Sequence, residues 1–331
     1  MFDERWPEEA EEFAAALEAV LVKHCPPDVL RTADDADGSA ESADSQRRLD
    51  QALDEFGLWE LPNEPLILTR AAVSLGANLT PVPFVSAVPA QVVLGEAGVA
   101  NGIDRAVVPA GLSRLLVSVG GDEMGIVATP NDSRVSAAGE EVVVIDAVAG
   151  QPARVDGDAD AIRAWGFLLE AAQLVGAAHA LIRYGVSYVS ERHQFGVPVG
   201  SFQGVSHPLA DAATSVQAAD LLTRHAAYLA DTDGAVSLFS AVMAAAKARA
   251  ASRQAAAIVH QALGGYGFTV EADCQLYSRR IRAWTAAMPD PAPWLAKLAR
   301  TLTDPATRDQ VTDLWQFDRG FTLPGWARES R

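Results

Sequence analysis

Cysteine and histidine are scarce in this 331-residue sequence, which has two cysteines, Cys25 and Cys274, and six histidines. The histidines show no HExxH or other chelating spacing, and two cysteines make no disulfide framework, so metal and redox-disulfide chemistry are not expected. Basic residues are also few, at 26 Lys and Arg against 43 Asp and Glu, and the net charge is −17. That charge disfavours nucleic acids and anionic membrane surfaces as partners. Apolar runs stay short of the roughly 20 residues that a membrane-spanning helix needs.

The amino-terminal segment accounts for most of the net negative charge. Residues 1–60 contain seventeen acidic and five basic side chains. The chain begins MFDERWPEEAEEF, which is acidic where a secretory signal would be basic and then apolar, and this predicts a cytoplasmic protein. A length of 331 residues predicts two domains, or three small ones.

Residues 1–105 are predicted to form a helical domain. Positions 7–24 place Phe13, Leu17, Val20 and Leu21 on one helical face. The polar stretch 32–46 has almost no large apolar residue and predicts a flexible loop, and helical patterns follow at 49–56, 68–75 and 87–94.

Hydrophobic periodicity changes twice in the rest of the chain. Residues 106–155 contain short β-branched runs separated by Gly, Pro, Asn or Asp, which predict a small antiparallel β domain. Residues 156–331 return to long helical patterns, at about 159–193, 205–232, 235–263 and 272–285, with one or two short helices after residue 293. Long helices joined by short loops predict a four-helix bundle, so the fold class is mainly α with a small β domain.

Two clusters in the bundle carry residues suited to a ligand. The first, RHQFGVPVGSFQ, presents the Arg192 guanidinium, the Phe195 ring and the Gln203 amide, which suit a phosphate, an adenine ring and its edge. An ordinary helix–turn–helix connection is the alternative interpretation. The second, QALGGYGF from Gln261, closes a helix with glycines that allow left-handed turns and close backbone approach to a ligand. A helix C-cap is the alternative there.

The two clusters together resemble the acyl-CoA dehydrogenase family. The RxxFGxPxxxFQ and GGxGF strings, the order helical–β–helical, and the turn LTPVPF at 79–84 carry the resemblance, which spans nearly the whole chain and is strongest from about 159 to 285. It implies an FAD-dependent enzyme that desaturates an acyl-CoA thioester between Cα and Cβ, with the FAD lying across a subunit boundary. The residues that it assigns to a neighbour's FAD are Arg192 and Gly265 (pyrophosphate), Phe195 and Gln203 (adenosine side), Gln261 and Gly264.

The resemblance also shows what this sequence lacks. Family enzymes abstract the substrate's α-proton with a glutamate, but Met288 and Gly166 stand at the two positions where that glutamate occurs, and neither can accept a proton. Glu170 and Asp290 are possible substitutes for the missing base. We favour the alternative that each is a solvated surface carboxylate.

The β region is reduced as well. It lacks the TEPxxGSD-like and WITN-like segments with which family members hold the flavin ring and the thioester; Val108-Pro109-Ala110 is the nearest remnant of the first. The resemblance therefore implies a shortened subunit that pairs with a full-length acyl-CoA dehydrogenase subunit in an α2β2 assembly, as in heteromeric steroid-CoA dehydrogenases. A structural subunit without flavin, a homomeric enzyme with a relocated base, and an enzyme of the same fold with another chemistry are the alternatives.

Overall fold

The computed structural model describes residues 5–34, 40–95, 158–304 and 306–307, and the strand segments between residues 99 and 154. Before the strands come α1 (Glu8–His24), α2 (Pro27–Asp34), α3 (Ala40–Phe56), α4 (Pro65–Ala77) and α5 (Phe84–Leu94). The strands are β1 (Val99–Ile103), β2 (Arg105–Pro109), β3 (Leu115–Gly120), β4 (Glu123–Ala128), β5 (Arg134–Val135), β6 (Glu141–Asp146) and β7 (Ala153–Arg154). After them come α6 (Ala159–Glu191), β8 (His193–Gln194), β9 (Val197–Pro198), α7 (Gln203–Asp233), α8 (Leu238–Leu263), α9 (Cys274–Ala287) and α10 (Ala292–Thr303).

The amino-terminal helices follow the predicted pattern with one exception. Leu17 and Leu21 of α1 are buried as predicted. The predicted loop at 32–46 is wrong at residues 32–34, where α2 ends, and again from residue 40 onward, where α3 begins. Residues 35–39 lie outside the described part of the chain. The first turns of α3 are rich in Ala, Glu, Ser and Gln, which can form a helix without apolar residues, and Asp44 pairs with Arg48 one turn later.

The β region forms two sheets, with strand orders β1-β3-β4-β7 and β2-β6-β5. Most pairs are antiparallel as predicted, including β2 with β6 and β3 with β4. The pair β1–β3 is parallel, which differs from the prediction, because the intervening strand β2 belongs to the other sheet. Strand β1 also begins at Val99, ahead of residue 106. The domain limits 1–105, 106–155 and 156–331 stay a prediction.

Helix α6 is the centre of the carboxy-terminal bundle, and α7, α8 and α9 follow it in sequence with bounds within a few residues of those predicted. The helix is long and apolar enough to cross a membrane, but 94% of its most apolar window is buried inside the protein, as expected of a core helix. On one side it meets α4 at very short range: a Cβ atom at Gly176 would lie 2.0 Å from the backbone oxygen of Val73, and one at Gly76 would lie 2.0 Å from that of Gln173. Glycine at both positions thus lets the amino-terminal helices dock on the bundle.

Candidate functional site

The two glycine-containing clusters lie at the same end of the bundle. Helix α6 ends at Glu191 and α8 ends at Leu263, and each helix leads directly into one cluster. The Tyr188 ring, in the last turn of α6, stacks on the Tyr266 ring of the GGYGF turn, with centroids 5.4 Å apart and planes 12° apart. This stacking brings together, at one surface, two segments that lie about seventy residues apart in the sequence.

The first cluster is a tight hairpin that presents Phe195 to solvent. Strands β8 and β9 pair His193 with Pro198 and Gln194 with Val197, which leaves Phe195 and Gly196 at the tip. Both tip residues have positive φ, +56° and +83°, a conformation that a non-glycine residue such as Phe195 rarely adopts. The Phe195 side chain is 93% exposed and meets the Phe202 ring edge-on, with centroids 6.2 Å apart.

Arg192 and Gln203 flank this hairpin with their side chains exposed. The backbone of Arg192 is fixed: its N–H donates to the Tyr188 oxygen at 2.9 Å, and its oxygen accepts from the Val199 N–H at 2.7 Å. Its guanidinium forms no hydrogen bond or ion pair with the residues that the structure describes. Gln203 is the first residue of α7, after the N-cap Phe202. The hairpin therefore presents a cation, an aromatic ring and an amide on one surface.

The second cluster leaves a stretch of backbone uncovered. Gly264 has φ +61° and ψ −138°, which suits glycine alone, and a Cβ atom at Gly264 or Gly265 would meet nothing within 4 Å. Both glycines and the Gln261 side chain, in the last turn of α8, are exposed. Gly267 differs, since a Cβ atom there would lie 2.8 Å from the His260 oxygen. The turn is thus packed on one side and open on the other.

Comparison with known protein families gives this region its identity. Residues 165–287 match the description "Acyl-CoA dehydrogenase, C-terminal domain". This segment of the chain is therefore similar to the carboxy-terminal domain of the acyl-CoA dehydrogenase family. The matched segment starts within α6 and ends with α9, so it includes both clusters.

Three relatives show how much of the chain is shared. Acyl-CoA dehydrogenase FadE34 of Mycobacterium tuberculosis is 34% identical over 142 residues, which are 43% of this chain and 20% of that protein. The mitochondrial short-chain specific acyl-CoA dehydrogenase of Rattus norvegicus is 40% identical over 115 residues, 34% of this chain and 27% of that protein. These matches therefore span well under half the length of those relatives. Acyl-CoA dehydrogenase IpdE2 of Mycolicibacterium smegmatis is 26% identical over 320 residues, 88% of this chain and 98% of that protein.

Solved structures share the fold of most of the chain. A chain of the Tcur3481-Tcur3483 steroid ACAD has a TM-score of 0.74 at 19% identity, with 88% of this chain and 97% of that chain covered. A chain of the ChsE4-ChsE5 complex from Mycobacterium tuberculosis has a TM-score of 0.74 at 17% identity, with 92% and 99% covered. The predicted fold, mainly α with a small β portion and a helical carboxy-terminal domain, is confirmed.

Glu170 on α6 is not the solvated carboxylate that we favoured from the sequence. It is 1% exposed on α6, and its two oxygens accept hydrogen bonds from Nε and Nη2 of Arg249 on α8, each at 2.8 Å. Burial raises the pKa of Glu170 to about 7, although the Arg249 guanidinium opposes that rise. The sequence prediction is wrong because the charged partner comes from a helix 79 positions away, which no local pattern indicates.

The other three positions considered for a base are one residue of α6 and two residues between α9 and α10. Gly166 is buried in α6, and Met288 is a half-buried residue directly after α9. Asp290 is exposed, as expected, and its carboxylate accepts the Ala292 N–H at 3.0 Å at the start of α10. Neither Gly166 nor Met288 offers a proton acceptor, and the two carboxylates are each held by another group.

A cavity of about 730 Å³ beside the GGYGF turn contains functional candidates that the sequence analysis missed. It lies between α8 and α9, and its lining includes Gln261 and three arginines, Arg253, Arg279 and Arg282. The string RRIR at 279–282, in a chain with few basic residues, is the sequence signal that could have found two of them.

Proposed function

We propose that this chain is a subunit of an FAD-dependent acyl-CoA dehydrogenase and that it contributes contacts to the FAD site of a partner subunit. The observation that carries the proposal is the Arg192 guanidinium, which is exposed on the hairpin and has no hydrogen-bonding partner in the part of the chain that the structure describes. A cation held on a fixed backbone, beside an exposed ring and open glycines, is a surface prepared for an anionic, aromatic ligand.

The residues present fit the FAD molecule in three respects. Arg192 is available to neutralise the pyrophosphate, and the backbone at Gly264 and Gly265 can approach it because no Cβ atom intervenes. The Phe195 ring is available to cover the adenosine portion, with the Gln203 and Gln261 amides for its polar edges. When bound, FAD would supply the hydride acceptor for α,β-desaturation. The residues of this chain bind and orient the cofactor.

The partner and substrate follow from the same proposal. Two solved structures with a similar fold are a Tcur3481-Tcur3483 steroid ACAD and a ChsE4-ChsE5 complex. Their names support a heteromeric assembly for this chain. We assign the partner as a full-length acyl-CoA dehydrogenase subunit in an α2β2 complex, and the substrate as an acyl-CoA, in the cytoplasm. The word steroid in one of those names further supports a steroid-derived acyl group in the substrate.

Substitution of Arg192 tests the proposal. In the complex with its partner, Arg192→Ala removes a charge-assisted contact of about 1.5–3 kcal/mol, so FAD affinity should fall roughly tenfold or more. Arg192→Lys should recover part of the loss, because lysine restores the charge without the bidentate fork. FAD titration followed by flavin fluorescence measures both variants.

Arg300 offers a matched control, since it is an exposed arginine in the last turn of α10. Both arginines can interact with a helix dipole, which is worth about 0.3–1 kcal/mol, but Arg300 belongs to neither cluster. Arg300→Ala should leave FAD affinity unchanged. If Arg192→Ala lowers the melting temperature of the apo-complex while FAD binds as before, Arg192 is a structural cation and the chain is a structural subunit.

A further inference from the structure

One arginine of the amino-terminal helices reaches the segment that follows the GGYGF turn. Arg31 lies on α2, and its Nη2 atom donates a hydrogen bond to the backbone oxygen of Glu271 at 3.0 Å. The same nitrogen pairs with the carboxylate of Asp273, the residue before α9. These contacts join positions that are 240 and 242 residues apart in the sequence. The amino-terminal helices are therefore tied to the chain on the carboxy-terminal side of the turn.

The Glu271 oxygen is shared with the turn itself. The Tyr266 hydroxyl, from within the turn, donates to that oxygen at 3.3 Å, so one carbonyl group accepts from both Tyr266 and Arg31. Tyr266 is also the residue whose ring stacks on Tyr188 of α6. A single acceptor thus couples α2 to the ring that joins the turn to the bundle.

Asp273 is connected to the same ring by a second route. Its backbone N–H donates to the hydroxyl oxygen of Tyr184, on α6, at 3.3 Å. Burial raises the pKa of Tyr184, and its hydrogen bond with the Tyr266 side chain raises it further, so Tyr184 keeps its proton at neutral pH. Since the Tyr266 proton is used on Glu271, Tyr184 is the donor to Tyr266. The network therefore runs from α2 through residues 271–273 to the turn.

The open side of the turn has no packing of its own to fix it. A Cβ atom at Gly264 or Gly265 would meet nothing within 4 Å, whereas Gly267, on the packed side, has its oxygen 2.7 Å from His260 Nδ1. Glycine loses more conformational freedom on ordering than any other residue. Restraints from outside the glycines therefore decide whether the open backbone keeps one arrangement.

We propose that Arg31 is a positioning residue for the GGYGF turn, which it holds through the Glu271 oxygen and the Asp273 carboxylate. By restraining Tyr266 it keeps the open glycine backbone in the arrangement that meets the cofactor, and it does so without touching the cofactor. The inference rests on the proposed function only in naming FAD as the ligand that meets those glycines.

Hydrogen–deuterium exchange on the cofactor-free full chain, purified with its partner when the chain needs one, tests the positioning role. In Arg31→Gln the amides of residues 264–271 should exchange about tenfold faster, because a charge-assisted contact is lost from a site that is partly screened by solvent. The amides of α7, which Arg31 does not contact, should exchange as in the unchanged protein. FAD affinity of the complex should fall severalfold, but by less than in Arg192→Ala, because a displaced turn lowers only the fraction of competent molecules.

A lysine at position 31 separates positioning from a general loss of stability. Both contacts of Arg31 come from Nη2, whereas its Nε is buried and forms no hydrogen bond with the described residues. An ammonium group has three donors and can serve both acceptors from one nitrogen, so Arg31→Lys should recover most of the protection. Asp273→Asn should loosen the turn in the same direction but less, since the Glu271 contact remains.

Arg70→Gln is the matched control. Arg70 lies on α4 and pairs with Glu11 and Glu18 of α1, so its loss breaks an ion pair among the same amino-terminal helices. It has no contact with residues 271 and 273 among the described segments, so the turn should exchange as in the unchanged protein.

Equal exchange of the turn in Arg31→Gln and the unchanged protein overturns the inference. Faster exchange spread over all helices, or the same acceleration in Arg70→Gln, overturns it as well, because either shows a loss of overall stability. A loosened turn with unchanged FAD affinity, in a complex that Arg192→Ala weakens, refutes the link to the cofactor. Failure of the proposed function is distinguishable: unchanged FAD affinity in Arg192→Ala defeats that function, whereas a turn that exchanges faster in Arg31→Gln still supports the positioning role.

Discussion

The pair formed by Glu170 and Arg249 lies inside the bundle and joins α6 to α8, so removal of one partner has a calculable effect. Glu170 is 1% exposed, and the Arg249 side chain is 13% exposed. Arg249→Met leaves the carboxyl group buried without its guanidinium. Breaking a buried pair in this way costs about 3–5 kcal/mol of the free energy of unfolding. We expect that loss at pH 8.

The loss should depend on pH with a definite sign. Burial holds the pKa of Glu170 at about 7, above the usual glutamate value of 4.5, so the folded state binds the proton more tightly than the unfolded state. The stability that protonation of Glu170 contributes is fully present below about pH 4.5 and declines as the pH rises to about 7. Without the Arg249 guanidinium the pKa rises further, and each unit is worth about 1.4 kcal/mol. Arg249→Met should therefore be less harmful at pH 5 than at pH 8.

Urea denaturation followed by circular dichroism measures both the loss of stability and its dependence on pH. The single variant Glu170→Leu and the double variant complete a double-mutant cycle with Arg249→Met. The double variant, Glu170→Leu with Arg249→Met, should be more stable than the sum of the single losses predicts, because an apolar pair replaces an ion pair without an orphan charge. Additive losses, or a loss in Arg249→Met that is equal at pH 5 and pH 8, would refute the assignment of Glu170 as a buried structural partner.

Two further predictions concern the bundle and the missing base. Gly176→Ala places a Cβ atom 2.0 Å from the Val73 oxygen and should lower the free energy of unfolding, measured by thermal denaturation, by about 3 kcal/mol or more. Gly265→Ala, whose Cβ atom would meet nothing within 4 Å, should lower it by less than about 1 kcal/mol. Asp290→Asn should leave the turnover of the complex within a few-fold of that of the unchanged complex, because the Asp290 carboxylate accepts the Ala292 N–H at a helix terminus. A fall of about 10²–10⁴-fold in initial rate would instead identify Asp290 as the general base.

The helical architecture could be predicted because its signal is local and repeated. The spacing of apolar residues placed α6, α7, α8 and α9 within a few residues of their observed bounds, and Leu17 and Leu21 were correctly assigned to a buried face. The polar first half of α3 has no such apolar signal, so its helix was missed. The parallel pairing of β1 with β3 arises because β2, which lies between them in sequence, pairs in the other sheet. That pairing is a property of the tertiary fold and has no local sequence signal.

Features that depend on contacts between distant segments escaped the sequence analysis. Glu170 and Arg249 look like ordinary helical charges until α6 and α8 pack together. The close contacts of Gly176 and Gly76 are equally invisible in the sequence, because glycine inside a helix usually weakens it. By contrast, the residues assigned to FAD lie in loops with fixed spacing, and the structure places Arg192 and Gly265 at the same end of the bundle, where their role stays a prediction.

Under the proposed function, the four positions considered for the base favour an arrangement in which the two subunits supply different parts of the active site. Gly166 and Met288 have no group that accepts a proton, and the Asp290 carboxylate is committed to a helix terminus. Glu170 has a pKa of about 7, which would suit a base, but both of its oxygens already accept hydrogen bonds from Arg249. A base must reach the substrate's α-proton, and burial behind a bidentate partner prevents this. Under the proposed function the proton acceptor therefore comes from the partner subunit, while this chain supplies the exposed cation and glycine backbone.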